Sequence, residues 1–193
     1  MVFFFGGSFN PPHSGHRYLL GYLIENYPNE TILISPNYIS PFKDKKDLNQ
    51  NSILELCMRE FADLFSDHVT LYTNEIFQAS PSYTYETILS LKNDHPKISL
   101  VIGDDHLPTL QNWHQAKNLI SILESITLVR RTFPPNTDIP IPDLIPKNKV
   151  NILQNQLWDI SSTKLRSNKN RNFFLQFLKP SSVDFLDSIG YFD

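Results

Sequence analysis

The chain has 193 residues, with 17 Lys and Arg against 20 Asp and Glu for a net charge of −3. That length fits one ordinary domain whose core needs no disulfide or metal staple. The balanced charge argues against general binding to nucleic acid or an anionic membrane, and a single cysteine, Cys57, rules out an internal disulfide or a cysteine-based zinc site. No apolar run approaches the roughly 20 residues of a membrane span. Met1 runs into Val2-Phe3-Phe4-Phe5 without a basic flank, so a soluble, cytoplasmic, single-domain protein is expected over 1–193.

Taken in chain order, Val2–Phe5 is a short apolar run stopped by Gly6-Gly7, which predicts a buried strand. Ser14 to Tyr27 carries Leu19, Tyr22, Leu23 and Asn26 along one helical face, and Pro28 ends it. Thr31–Ser35 is the next strand. After a polar loop, Ile53, Leu54, Leu56, Cys57, Phe61, Leu64 and Phe65 mark a second helix. Strands are predicted at Val69–Tyr72, Ile98–Ile102, Ile126–Val129 and Val150–Leu153, and helices over Tyr83–Asp94, Trp113–Leu123 and Ser181–Ile189. Phe133 to Lys149 holds five prolines and reads as a loop. Alternation of short apolar strands with amphipathic helices predicts an α/β, doubly wound, Rossmann-like parallel sheet with helices on both faces. Ligands of such sheets sit at the carboxyl ends of the strands.

The residues just after the first strand, Gly6-Gly7-Ser8-Phe9-Asn10-Pro11-Pro12-His13-Ser14-Gly15-His16, fit that place. Gly6 and Gly7 allow a tight turn and close approach of an anion to main-chain N–H groups. Gly15 sits where the helix begins, beside its free donors and positive dipole end. His13 and His16 are three apart and both can face one anion. A glycine-rich turn with two incidental histidines fits the fragment about as well. A histidine-based metal site is weaker, since the other histidines are scattered, and no Walker-type Gly-Lys-Ser/Thr follows.

A second motif lies near the other end: Ile160-Ser161-Ser162-Thr163-Lys164-Leu165-Arg166. Together the two segments resemble the (T/H)xGH and ISSTxxR signatures of the nucleotidyltransferases related to class I aminoacyl-tRNA synthetases. Pro81-Ser82-Tyr83-Thr84-Tyr85-Glu86-Thr87, preceded by Glu75, and Gly103-Asp104-Asp105 running to Trp113 resemble the bacterial nicotinate-mononucleotide adenylyltransferase family, as does the ending Pro180–Leu186. Three positions depart from that family: Asn10 replaces an Asp, Phe42 a His, and Arg130-Arg131-Thr132 an Arg-Pro-Gly.

The resemblance implies transfer of the adenylyl group of ATP to nicotinate mononucleotide, with Mg²⁺ carried in by ATP. It implies that His13, His16 and Arg166 serve the phosphates at the reacting centre. Gly7, Ser8, Phe9, Gly15, Gly103, Asp105, Ile160, Ser161, Ser162 and Thr163 would bind ATP, with Asp105 accepting from ribose hydroxyls. Lys43, Tyr83, Thr84 and Trp113 would bind the mononucleotide, Trp113 stacking on the pyridine ring. Plainer readings stand beside these: Ser161-Ser162-Thr163 as a helix-cap cluster, Asp105 as a cap, Trp113 as core, Lys43 as a solvated lysine, and Arg130 and Arg131 as surface or interface charges. A homo-oligomer is compatible with the sequence. The amide mononucleotide, 4′-phosphopantetheine, or a non-catalytic nucleotide sensor are the rival functions.

Overall fold

The structure is a computed structural model and describes residues 1–38, 46–78 and 80–192. Its strands are β1 (Val2–Gly7), β2 (Thr31–Pro36), β3 (Val69–Leu71), β4 (Ile98–Gly103), β5 (Ser125–Val129) and β6 (Val150–Ile152). The helices are α1 (Ser14–Asn26), α2 (Gln50–Glu60), α3 (Asn74–Phe77), α4 (Thr84–Leu91), α5 (Ala116–Ile122), α6 (Ser162–Arg166), α7 (Arg171–Phe174) and α8 (Pro180–Ser188). A 3-10 helix spans Asp104–Asn112 and a single 3-10 turn Lys147–Lys149.

The strands form one six-stranded sheet in the order β3-β2-β1-β4-β5-β6, every neighbouring pair parallel. The order reverses between β1 and β4, which creates a crevice at their carboxyl ends. Both faces are apolar because the strand period of two sends alternate side chains to opposite sides. Phe3 and Phe5 of β1 join Ile32 and Ile34 of β2 against α1, α2 and α8, while Val2, Phe4 and Leu33 join Leu100 and Ile102 of β4 against α4 and α5. On the first face, Ser99, Ser125 and Thr127 replace apolar residues and satisfy one another, with Ser99 Oγ 2.7 Å from Thr127 Oγ1 and 2.9 Å from Ser125 Oγ.

The predicted strands are all present, and the helices shift at their ends. The second helix begins earlier, at Gln50, because Asn49 caps it by accepting from the Ser52 N–H at 2.9 Å. It ends at Glu60, so Phe61 packs from the following turn. The helix predicted from Trp113 starts only at Ala116, after Gln115 in the left-handed region (φ 54°). The residues before it, Asp104–Asn112, form the 3-10 helix that periodicity does not reveal. Pro108 lies within it and has no N–H to give an α-helical ladder. Cys57 is buried in the core, where burial pushes its thiol up. Among the described residues no helix is long and apolar enough to cross a membrane.

Arg130 is a correction. It is not a surface charge but 3% exposed. Its Nε donates to the Leu153 carbonyl at 3.0 Å, and its Nη1 to the carbonyls of Pro134 at 2.7 Å and Thr137 at 3.0 Å. Asn155 completes the knot: its Oδ1 accepts from the Arg130 N–H at 2.9 Å and its Nδ2 donates to the Arg130 carbonyl at 3.0 Å. The guanidinium thus supplies donors to a proline-rich segment that has few of its own. Arg130→Ala should lower unfolding stability by about 3 kcal/mol, since the buried Leu153 carbonyl and the part-buried carbonyls of Pro134 and Thr137 lose their partner. Urea unfolding measures this, and a change under about 0.5 kcal/mol would contradict the anchoring role.

Candidate active site

A cleft of about 1030 Å³ opens at the crevice between the carboxyl ends of β1 and β4. Every sequence-predicted site residue except Lys43 lines it. Lys43, like Phe42, lies outside the described residues. Its neighbour Lys46 is described, and its Nζ donates to the carbonyls of Ser8 (3.2 Å) and Asn37.

Gly6 and Gly7 do not make the turn themselves; they are the last residues of β1. The left-handed residue is Phe9, with φ 42°. A non-glycine residue holds that conformation only when packing fixes it. Here the Phe9 ring is buried against Phe5 (5.5 Å between centroids), Phe61 (5.9 Å) and His16 (4.9 Å). The aromatic residue that strains the loop therefore also seats His16.

His13 caps α1 and His16 lies in its first turn, their rings 3.8 Å apart. The His13 backbone N–H donates to His16 Nδ1 at 3.2 Å. That bond assigns the neutral tautomer and leaves the His16 Nε2–H as a donor. His13 Nδ1 is buried without a hydrogen-bond partner, the condition of a group whose partner is a ligand or water. Gly15 packs tightly here: a Cβ would stand 3.1 Å from the His13 ring and 3.1 Å from Ile160.

The second motif closes onto this loop. Ser162 Oγ donates to the Pro11 carbonyl at 2.8 Å and Arg166 Nη1 to the Asn10 carbonyl at 2.7 Å. Ser161 does act as a cap, accepting from the Lys164 N–H at 3.1 Å, and Thr163 Oγ1 accepts from Arg166 Nη2 at 3.2 Å. These hydroxyls thus serve internal bonds, and the backbone N–H groups at the start of α6 are the donors left over. Asp47 stands 3.7 Å from Arg166 Nε. The side chain of Asn10, the departure from the family pattern, accepts from the Leu48 N–H at 3.2 Å, a task that an amide oxygen performs without adding charge.

At the β4 end, Asp104 and Asp105 divide their work. Asp104 is buried and accepts from the N–H groups of Arg131, Thr132 and Phe133 at 2.9–3.2 Å, shaping the turn after β5. Asp105 faces the cleft, its Oδ2 3.3 Å from Arg131 Nη1. Arg131 also lines the cleft, a position that composition hides but the carboxyl end of β5 suggests.

The remaining lobe is aromatic. Trp113 is half-buried, packing against the α4–α5 apolar cluster while lining the cleft. Tyr83 precedes α4, its ring 4.5 Å from that of His114. Helical bonds of α4 begin at the Glu86 N–H, so the N–H groups of Thr84 and Tyr85 precede them. Glu75 lies beneath, accepting from Thr87 Oγ1 at 2.5 Å, and burial raises its carboxyl above the usual range.

The histidines are held neutral. Burial, helped by the Arg131 guanidinium, brings His13 down to about 3. Burial, then His13, then Arg131, puts His16 well below its ordinary value. Because the folded values are depressed, this stability is present above the unfolded imidazole pKa of about 6.5 and is lost as pH falls toward 3. Each imidazole should add about 1.4 kcal/mol per pH unit to that slope. His13→Asn should flatten the dependence of unfolding free energy on pH between about 6 and 4; an unchanged slope in urea unfolding across that window would show His13 protonated in the folded protein.

A cytidylyltransferase-like family model matches residues 4–168. A protein of Fusobacterium nucleatum named "Probable nicotinate-nucleotide adenylyltransferase" is 33% identical over 171 residues, covering 87% of this chain and 86% of that protein. One of the same name from Leptospira borgpetersenii is 31% identical over 170 residues, covering 84% and 81%. The fold is that of the nicotinic acid mononucleotide adenylyltransferase of Plasmodium falciparum, solved complexed with NaAD, at a TM-score of 0.78 over 100% of this chain and 97% of that one, with 15% identity. With the paired motifs meeting in one cleft, the chain belongs to the cytidylyltransferase-like nucleotidyltransferases, in the nicotinate-nucleotide adenylyltransferase family.

Proposed function

We propose that this protein catalyses adenylyl transfer from ATP to nicotinate mononucleotide, giving nicotinate adenine dinucleotide and pyrophosphate in NAD biosynthesis. The observation that carries the reading is the clamp of the Ser161–Arg166 segment onto the loop of His13 and His16. It gathers backbone donors, two imidazoles and a guanidinium at one point of a cleft large enough for two nucleotides.

The nucleophile is a phosphate oxygen of the mononucleotide, largely anionic at neutral pH because its second pKa is about 6. It attacks the α-phosphorus of ATP, and the bond from that phosphorus to the bridging oxygen breaks as pyrophosphate leaves. No strong base is needed. The protein's task is to bring two anions into line and stabilise the charge developing on the α-phosphate and the leaving group. His16, neutral with Nε2–H as donor, and His13, whose ring nitrogen has no internal partner, would serve those oxygens. Neutral donors in a desolvated site need little reorganisation as charge moves. Arg166 would take the distal phosphates through its forked donors, and Asp105 the ribose hydroxyls.

The donor is read as the Mg²⁺ complex of ATP, the ion held by phosphate oxygens and water. Among the described residues no group of three or more His, Cys, Asp or Glu side chains is placed to hold a metal on its own. Trp113 would stack on the pyridine ring, with the first N–H groups of α4 at Thr84 meeting the carboxylate. Donors alone suit an acid, whereas an amide also requires an acceptor. The setting is taken as the cytoplasm.

The defining test is pyrophosphate release from ATP with nicotinate mononucleotide and, in parallel, with its amide. Turnover with the acid is expected; release with neither would reject the enzyme reading. His16→Ala should lower kcat about 100- to 1000-fold with the fold retained, the usual effect of removing one preorganised donor; near-normal turnover would remove His16 from the chemistry. Trp113→Ala should raise KM for the mononucleotide more than KM for ATP. A change confined to ATP would reverse the assignment of the two lobes.

A further inference from the structure

The sequence contains two tryptophans, and both line the cleft. Trp113 has its place in the reading above, and Trp158 does not. It lies between β6 and α6, two residues before Ile160, and is 48% exposed. A large apolar side chain left half open is commonly mobile, but this one is fixed from several directions. Its indole Nε1–H donates to Ser14 Oγ at 3.1 Å. Its ring stacks on Tyr18, with centroids 5.0 Å apart and planes 18° from parallel. The Tyr18 hydroxyl accepts from the Gln156 N–H at 3.0 Å, and Asn155 is tied to Arg130 at the end of β5. The backbone carrying Trp158 is therefore held to both α1 and the sheet. Such bracing is the preorganisation that lowers the entropic cost of binding.

Its position matters as much as its rigidity. Ser14, which Trp158 grips, stands between His13 and Gly15, at the proposed phosphate centre. A base one ribose away from those phosphates falls within reach of the indole. The aromatic set of Trp113, Tyr83 and His114 belongs to the lobe where α4 and α5 pack on one face of the sheet. Tyr18 and Trp158 are borne on and against α1, whose Leu19, Leu20 and Leu23 pack on the opposite face. A reaction that joins two nucleotides must hold two bases at once, on either side of the joining phosphates.

We propose that Trp158, positioned by Tyr18 and Ser14, is the stacking platform for the purine ring of ATP. The proposal rests on the adenylyltransferase reading for the identity of the nucleotide. A purine offers a broad π-face to an indole, and the free area of Trp158 along the cleft is covered when it binds. Tyr18 acts through Trp158 and is a positioning residue.

The test uses Trp113→Phe, in which Trp158 is the sole tryptophan, excited at the red edge where the eight tyrosines do not absorb. A non-hydrolysable ATP analogue should quench its emission saturably. Inorganic tripolyphosphate, which offers the charge without the base, should not, and neither should nicotinate mononucleotide. Trp158→Ala in the otherwise native chain should raise KM for ATP about 5- to 100-fold, with a smaller effect on the mononucleotide, and Trp158→Phe should recover most of the loss. Urea unfolding of the Ala variant separates a binding defect from a folding one. Four results would overturn the proposal: no quenching while calorimetry shows the analogue bound, equal quenching by tripolyphosphate, an unchanged KM for ATP in the Ala variant, or emission that tracks protein concentration and self-association instead of nucleotide. Failure of the pyrophosphate assay would reject the reaction, whereas analogue binding in Trp113→Phe judges the platform independently.

Discussion

Two hydrogen bonds carry the rest of the site: Ser162 to the Pro11 carbonyl and Arg166 to the Asn10 carbonyl. They join segments at nearly opposite ends of the chain, and each does so through a backbone acceptor that is fixed by the strained loop after β1. That loop is held by Phe9, whose left-handed conformation is stabilised by burial against Phe5 and Phe61. Packing energy in the apolar core is thus converted into a defined geometry for polar groups, the means by which a site keeps its dimensions when empty.

The electrostatics follow from the same enclosure. Desolvation keeps His13 and His16 uncharged, and Arg131 reinforces it. An empty cleft with two charged imidazoles beside Arg131 and Arg166 would be costly to maintain. Neutral rings donate hydrogen bonds without that repulsion, and Asp105 and Asp47 stand beside the two guanidiniums. On the proposed reading, most anion-binding capacity therefore lies in N–H groups and tautomers instead of net charge. This is why a chain with a net charge of −3 can hold a site for two anionic nucleotides.

Much of this was legible in sequence. The parallel sheet followed from short apolar runs separated by amphipathic segments, and its crevice located the loop of His13 and His16. The second motif had meaning only jointly with the first. Other features were not legible for identifiable reasons. The 3-10 helix over Asp104–Asn112 has no 3.6-residue period and contains Pro108. Arg130 and Arg131 are adjacent and chemically identical, yet one is buried under carbonyls and the other faces the cleft. Trp158 gave no periodic signal at all, since its partners Ser14 and Tyr18 lie far away in the chain.

The division has a physical basis. Sequence alone determined the fold class, the order of the elements and the residue types available at strand ends, because hydrophobic period and glycine or proline punctuation act over a few neighbours. Tertiary structure decided which donors stay free for a ligand, which arginine is structural, which tautomer His16 holds and which tryptophan faces which lobe. Those outcomes depend on burial and three-dimensional packing, and for Ser162, Arg166 and Trp158 on partners more than a hundred residues away; no local pattern encodes a contact whose other half is at the opposite end of the chain.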